Sequence, residues 1–208
     1  MARRGLFFTL EGIDGSGKST QARRLARLLE SLWPLGAVLT REPGGSPGAE
    51  EIRALLVTGD PGRWSEVTEL LLFNAARRDH VERTIRPALD AGRIVVSDRF
   101  ADSTRVYQGA ADPALRRLAD SVHAQAIGLE PDVTFVIDMD PATALARGLA
   151  RRSGEDRFEE RGAAFQARLR AGFRALAAEF PDRCILIDGD RPEDEVAADI
   201  AERAAAVL

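Results

Sequence analysis

The stretch LFFTLEGIDGSGKST, residues 6–20, decides the fold. Gly12-Ile13-Asp14-Gly15-Ser16-Gly17-Lys18-Ser19 within it is a complete G-x-x-x-x-G-K-[ST] phosphate-binding loop. Its flanks fit. Leu6, Phe7, Phe8 and Leu10 form an apolar run that predicts a short buried strand, and Lys18 to Leu32 predicts a helix. Glycines let the backbone curl until successive N–H groups point inward, and the helix N-terminus adds partial positive charge. The result is a site for the phosphates of a nucleoside triphosphate. Gly12 to Ser19 and the next residue, Thr20, are the candidate ATP-binding residues. Lys18 is expected at the β/γ-phosphates, and Ser19 is expected to offer its hydroxyl to Mg²⁺.

Beyond this loop, composition sets bounds. A chain of 208 residues can bury a substantial core as one domain, expected to span residues 1–208. Hydrophobic residues make up 45% and charged residues 30%, and a formal charge of −4 argues against a basic binder of nucleic-acid polymers. Cys184 is the sole cysteine, which excludes an internal disulfide and a multi-cysteine zinc site; His80 and His123 are too few for a histidine metal site. The apolar run after Arg3-Arg4 stops at Glu11, short of a signal-peptide core, and no stretch approaches membrane-spanning length. A cytoplasmic protein with no membrane partner is expected.

Further along, Ala37 to Thr40 reads as a strand leading into Arg41-Glu42-Pro43-Gly44-Gly45-Ser46, and Ala49 to Val57 as a helix. A charged turn just past the carboxyl end of a strand lies where α/β sheets bind ligands, although Pro-Gly alone marks only a turn. A long helical pattern covers Ser65 to Ala91, with Val67, Leu70, Leu71, Asn74 and Arg78 on one approximate face. Phe73 and Arg77 emerge side by side at i and i+4, either as a base-stacking pair or as a core Phe and a solvated Arg. Arg93 to Ser97 is a strand ending in Asp98-Arg99-Phe100, where Asp98 is a Mg²⁺-side carboxylate or a surface ion-pair partner. Pro113 to Ile127 reads as helix and Val133 to Asp138 as the clearest buried strand. Pro141 to Ala150 is helix, Ala163 to Phe180 an amphipathic helix, Cys184 to Ile187 the last strand, and Pro192 to Val207 the closing helix. Between them, Arg151, Arg152, Arg157 and Arg161 crowd a charged, glycine-flanked segment of about residues 151–162, which is either a solvated face or a lid over phosphates. Alternating strands and helices predict a parallel sheet covered on both faces.

Taken together, EGIDGSGKST (11–20), REPGGS (41–46), LLFNAARR (71–78), SDRF (97–100), STRVYQG (103–109), PDVTFVID (131–138) and DRFE (156–159) resemble the thymidylate kinase family, which phosphorylates dTMP with ATP. The resemblance implies a P-loop nucleoside monophosphate kinase fold of five parallel strands with an arginine-rich lid. It implies dTMP and ATP as substrates, with Mg²⁺. It assigns Phe73 to stacking on thymine, Arg77 to the base, Arg41 to the acceptor phosphate and Asp14 to the sugar and phosphate region. Arg99 would bridge donor and acceptor phosphates, Ser103, Thr104 and Gln108 would meet the acceptor, and Tyr107 would pack under the deoxyribose. Arg191 joins the ATP side. Lys18, Arg99, Asp14, Arg151, Arg152 and Arg157 form the implied catalytic set, with Ser19 and Asp98 toward the metal. The Glu42–Pro43 bond is often cis in such proteins. With no arginine among Ile13, Asp14, Gly15 and Ser16, and four in the lid, the chain looks like the bacterial, lid-arginine layout. Val106 and Ser46 depart from the usual alanine and threonine. A homodimer using part of residues 65–91 is implied as well. Same-fold kinases for another acceptor and a nucleotide-dependent switch are the alternatives.

Overall fold

In a computed structural model of the chain, residues 4–60, 62–109, 112–151 and 162–208 are described. Strand β1 (Phe7–Gly12) runs directly into the glycine-rich loop and helix α1 (Lys18–Leu32). Then come β2 (Ala37–Arg41), α2 (Pro47–Val57), α3 (Glu66–His80), α4 (Arg86–Asp90), β3 (Ile94–Asp98), α5 (Ala101–Tyr107) and α6 (Pro113–Val122). Strand β4 (Val133–Asp138), α7 (Pro141–Arg151), α8 (Gly162–Glu179), β5 (Cys184–Asp188) and α9 (Glu193–Ala205) complete the order.

All five strands are parallel, in the order β2-β3-β1-β4-β5. This is the P-loop kinase architecture expected. Parallel neighbours need crossover helices, so helices cover both faces and the central strands are buried almost throughout, with Thr9, Glu11, Ser97 and Thr134 enclosed beside their apolar residues. One face packs Phe8, Leu10, Val96 and Phe135 against Leu25 and Leu29 of α1 and Ile200 of α9. On the other, Phe7, Val95 and Phe100 meet Val81, Ile85 and Leu89, while Val136 meets Leu169, Phe173 and Leu176 of α8.

Three local features differ from the sequence expectation. The helical pattern over residues 65–91 is broken by a π turn at Val81–Ile85, in which the Arg86 N–H donates to the Val81 carbonyl. A proline ring inside a helix collides with the carbonyl four residues back, and a wider turn just ahead of Pro87 relieves that collision. A second π turn, His123–Ile127, closes α6 and ends at Gly128 in a left-handed conformation. The expected face of α3 is also displaced. Val67, Leu71 and Arg78 are exposed, and the buried stripe runs through Leu70, Asn74, Arg77 and His80. That stripe is largely polar because its side chains join a buried hydrogen-bond network: Arg77 reaches Glu42 and Asn74, and His80 reaches Glu42 and Thr40. Finally, the polar run from Ser103 belongs to a helix, α5, which the sequence did not announce.

The Glu42–Pro43 peptide is cis. The expected lid falls largely on residues 152–161, outside the described residues, so Arg152, Arg157 and Arg161 lie there too. Arg151 closes α7.

Candidate active site

The carboxyl ends of β1, β2 and β3 open onto a cleft of about 320 Å³. Of the residues singled out in the sequence, Asp14, Gly15, Lys18, Ser19, Arg41, Phe73, Arg77, Asp98, Arg99, Ser103, Thr104, Tyr107 and Gln108 line it. Gly12, Ile13, Ser16, Gly17 and Thr20 build the loop from behind. Gly12 and Gly15 have positive φ of 143° and 84°, and a Cβ on either would strike backbone, the Ile137 carbonyl or the Ala144 carbonyl. Ile13 is buried among Val106, Val136 and Met139. Arg191 is not at the cleft. Its guanidinium is held by Asp199 at 2.6 Å, in the loop ahead of α9 that Gln21 ties to the first turn of α1 through the Glu193 carbonyl.

In the glycine-rich loop, Lys18 is buried and its Nζ donates to the Ile13 carbonyl at 3.1 Å and lies 3.5 Å from Asp14. Burial, then the nearby Arg99 charge, lowers its pKa. Asp14 accepts from Arg99 at 2.5 Å and from the Tyr107 hydroxyl at 2.8 Å. Burial opposes its charge, but Arg99, Lys18 and Tyr107 outweigh it and bring the carboxyl down to about 2. Tyr107 moves the other way: burial drives its pKa well above 10, so it stays a neutral donor. The Arg99 guanidinium also lies over the Tyr107 ring, 4.9 Å from its centre.

Arg99 is the sole non-glycine with positive φ among the described residues, at 72°. A bulky side chain in that region costs roughly 1–2 kcal/mol and persists only where neighbours fix it. Here Glu11 does so from below. It is fully buried; Oε1 accepts from the Phe100 and Ser103 N–H groups at 2.7 and 3.2 Å, and Oε2 from the Ser103 hydroxyl at 2.5 Å. Ser103 Oγ in turn accepts from Arg99 at 2.9 Å. Glu11 thus caps α5 and fixes the Asp98–Phe100 turn together. Burial first, then Asp102, raises its carboxyl to about 7.

On the opposite wall of the cleft, Arg77 is 2% exposed. Its Nε donates to Glu42 at 2.7 Å, one terminal nitrogen to Asn74 at 3.2 Å, and the other to Thr104 at 2.9 Å and the Phe100 carbonyl at 3.2 Å. Phe73, half-buried, stands one turn away on the same wall. Arg41 is exposed and pairs with Glu50 of α2 at 3.0 Å. Gln108 is held by Glu69 at 3.0 Å. Asp98 presents a buried Oδ1 with no hydrogen-bond partner, an orphaned acceptor of the kind a cation satisfies, and Ser19 lines the same cleft. These two oxygens fit Mg²⁺.

Arg53 and Glu42 also line the cleft and were missed in the sequence. Glu42 carried a signal, a carboxylate wedged between Arg41 and Pro43. Glu11 carried one too, as the charged residue closing an apolar strand. Arg53 carried none. Among the described residues no other cluster of three or more His, Cys, Asp or Glu forms a metal site, and no helix is long and apolar enough to cross a membrane.

Comparison with known proteins gives a consistent result. A family model described as thymidylate kinase matches residues 10–200. Thymidylate kinase of Dinoroseobacter shibae is 66% identical over 200 residues, covering 96% of each chain. That of Caulobacter vibrioides is 50% identical over 199 residues, covering 95% of each. The crystal structure of thymidylate kinase from Ehrlichia chaffeensis matches with a TM-score of 0.79 at 35% identity, over 97% of this chain and 99% of that one.

Proposed function

The chain belongs to the thymidylate kinase family, and we propose that its cleft seats dTMP against Phe73 and Arg77 while ATP lies on the glycine-rich loop. The enzyme phosphorylates dTMP to dTDP. One observation carries the placement: a buried, four-times-bonded arginine, Arg77, beside an aromatic ring in the cleft that also holds the loop lysine.

An oxygen of the acceptor phosphate forms a bond to the γ-phosphorus as the bond from that phosphorus to the ADP oxygen breaks. The acceptor oxygen is already anionic, so no side chain has to remove a proton, and positioning and charge neutralisation supply the catalysis. Lys18, with the loop amides from Gly15 to Ser19, holds the donor phosphates. Arg99, anchored by Asp14 and Tyr107, faces both phosphates, and Arg41 holds the acceptor phosphate. Tyr107 lies under the deoxyribose with Ser103, Thr104 and Gln108 around the acceptor. Gly12, Ile13, Ser16 and Thr20 shape the ATP loop, and Arg191 flanks its adenosine side. Asp98 and Ser19 would hold Mg²⁺, which when bound neutralises charge on the donor phosphates. Residues 1–208 act as a single kinase domain whose lid, about residues 151–162, brings Arg151, Arg152 and Arg157 over the phosphates and excludes water. The protein works as a cytoplasmic homodimer, a reading supported by its use of ATP and by the exposed apolar pair Val67 and Leu71 on α3.

The test is ADP release by purified protein with Mg-ATP, comparing dTMP, dUMP, dGMP and no acceptor. Turnover that depends on dTMP is expected. Release independent of acceptor would point to a nucleotide switch, and preference for another acceptor would overturn the base-pocket roles.

A further inference from the structure

His80 lies outside the cleft lining, yet it is completely buried and polar on both ring nitrogens. Nδ1 is 3.0 Å from Glu42 Oε1, and Nε2 is 2.7 Å from Thr40 Oγ. The other oxygen of Glu42, Oε2, accepts from Arg77 Nε at 2.7 Å. Thr40, His80, Glu42 and Arg77 therefore form one chain of hydrogen bonds from the exposed end of β2 to the acceptor wall. Gly45, with φ of 87°, packs across the His80–Thr40 bond so closely that a Cβ there would collide with both side chains.

The bonding fixes the proton. Burial works against a charge on Glu42, but Arg77 and His80 hold its carboxyl below the usual carboxylate range, so it accepts only. The Nδ1 of His80 must then carry the hydrogen. Nε2 lies 2.7 Å from the Thr40 hydroxyl, a second hydrogen bond that anchors the far side of the ring. Arg77 has five N–H groups, and four bonds engage it. One N–H on the nitrogen that meets Asn74 is left, and its direction depends on the plane of the guanidinium. Glu42, the carboxylate among the four acceptors, shares in setting that plane through Nε.

We propose that His80 is a positioning residue for acceptor binding: held between Thr40 and Glu42, it fixes the Glu42 carboxylate and thereby helps aim Arg77 at the acceptor base. The inference rests on the reading that Arg77 meets that base. A buried carboxylate that loses one of two partners reorients or draws water, and the arginine it holds goes with it.

Steady-state kinetics of the full-length enzyme test this with His80→Leu, His80→Asn and Arg77→Ala, singly and with His80→Leu combined with Arg77→Ala. His80→Leu is expected to raise the KM for dTMP by about tenfold, the worth of one hydrogen bond to a charged group, leaving kcat and the KM for ATP near wild type. Asn keeps a donor near the Nδ1 position, so His80→Asn is expected to recover most of that loss. Once Arg77 is alanine, His80→Leu should add nothing further. A merely structural histidine would lower the melting temperature in every variant without a selective change in the dTMP KM, and that result would overturn the proposal. An Arg77→Ala enzyme with an unchanged dTMP KM would overturn the reading beneath it instead. If His80→Leu does not fold, ¹⁵N NMR of wild type decides: a protonated Nδ1 coupled to Glu42 supports the proposal, and a bare Nδ1 overturns it.

Discussion

Glu11 and Asp14 lie three residues apart, and their carboxyls shift in opposite directions. For Glu11 the folded value of about 7 exceeds the ordinary 4.5. Between those values the folded chain keeps a proton that the unfolded chain has released, so the contribution is complete below pH 4.5 and is lost as pH rises through 7. Asp14, lowered from 3.8 to about 2, contributes above pH 3.8 and loses that contribution as pH falls through 2. We expect the unfolding free energy of wild type, relative to Glu11→Gln, to fall by on the order of 3 kcal/mol between pH 4.5 and 7.5. Urea titrations at the two pH values check it, and a difference independent of pH would refute the burial argument. Phe73 makes the second residue-scale prediction. Its ring is half-buried on the cleft wall, and Phe73→Ala should weaken dTMP binding by about 1–3 kcal/mol, the scale of base–aromatic stacking. Calorimetric titration with dTMP reads this directly, and an unaltered Kd removes Phe73 from the base site.

Helix α5 is short and polar, and it survives through what holds it. Glu11 caps one end. On its inner side Asp102, 1% exposed, accepts from Arg183 at 2.6 and 2.9 Å and from Arg105 at 2.8 Å, while Arg105 reaches Glu130 at 2.7 Å. Removing one partner of such a buried pair leaves an uncompensated charge. Arg183→Met is therefore expected to destabilise the fold by roughly 3 kcal/mol and, because α5 carries Ser103, Thr104 and Tyr107, to raise the dTMP KM. Adding Asp102→Asn should restore much of the stability in thermal unfolding; a silent Arg183→Met would show α5 held by packing alone. The same ties explain why this helix was illegible in the sequence. Ser103-Thr104-Arg105 has no apolar period, and the partners that hold it include groups 25, 27 and 92 residues away. The glycine-rich loop, REPGGS and the Asp98-Arg99-Phe100 turn were legible because each function demands fixed residue types at fixed spacing. The central strands were legible for a related reason, being buried on both faces and mostly apolar despite Thr9, Ser97 and Thr134. The face of α3 was misread because buried Asn74, Arg77 and His80 are satisfied by hydrogen bonds, and hydrophobic periodicity counts such residues as surface.

At the scale of the whole molecule, the strand order sets what is near what. Donor loop and acceptor wall meet because β1 lies directly beside β3, with β2 outside it. Two proposals belong here. Neutralising Arg151, Arg152 and Arg157 together should lower kcat far more than it weakens dTMP binding, as rapid-quench kinetics would show; an unaffected kcat would make that segment a solvated loop. A charge on the exposed apolar pair of α3, as in Leu71→Glu, should shift the sedimentation coefficient from that of a dimer to that of a monomer. A wild-type monomer would dispose of the dimer at once.

The arrangement of strands has an evolutionary consequence. The groups proposed to meet the acceptor follow β2 and β3 or stand on α3 and α5, whereas the proposed donor cradle follows β1 and leans on α7. A lineage selected for a new acceptor can change Phe73, Thr104 or Gln108 without disturbing the phosphate cradle. Only Asp14, Arg99 and Tyr107, bonded to one another across the border, must be inherited as a set. In this fold, what is phosphorylated can diverge while the means of phosphorylating it is conserved.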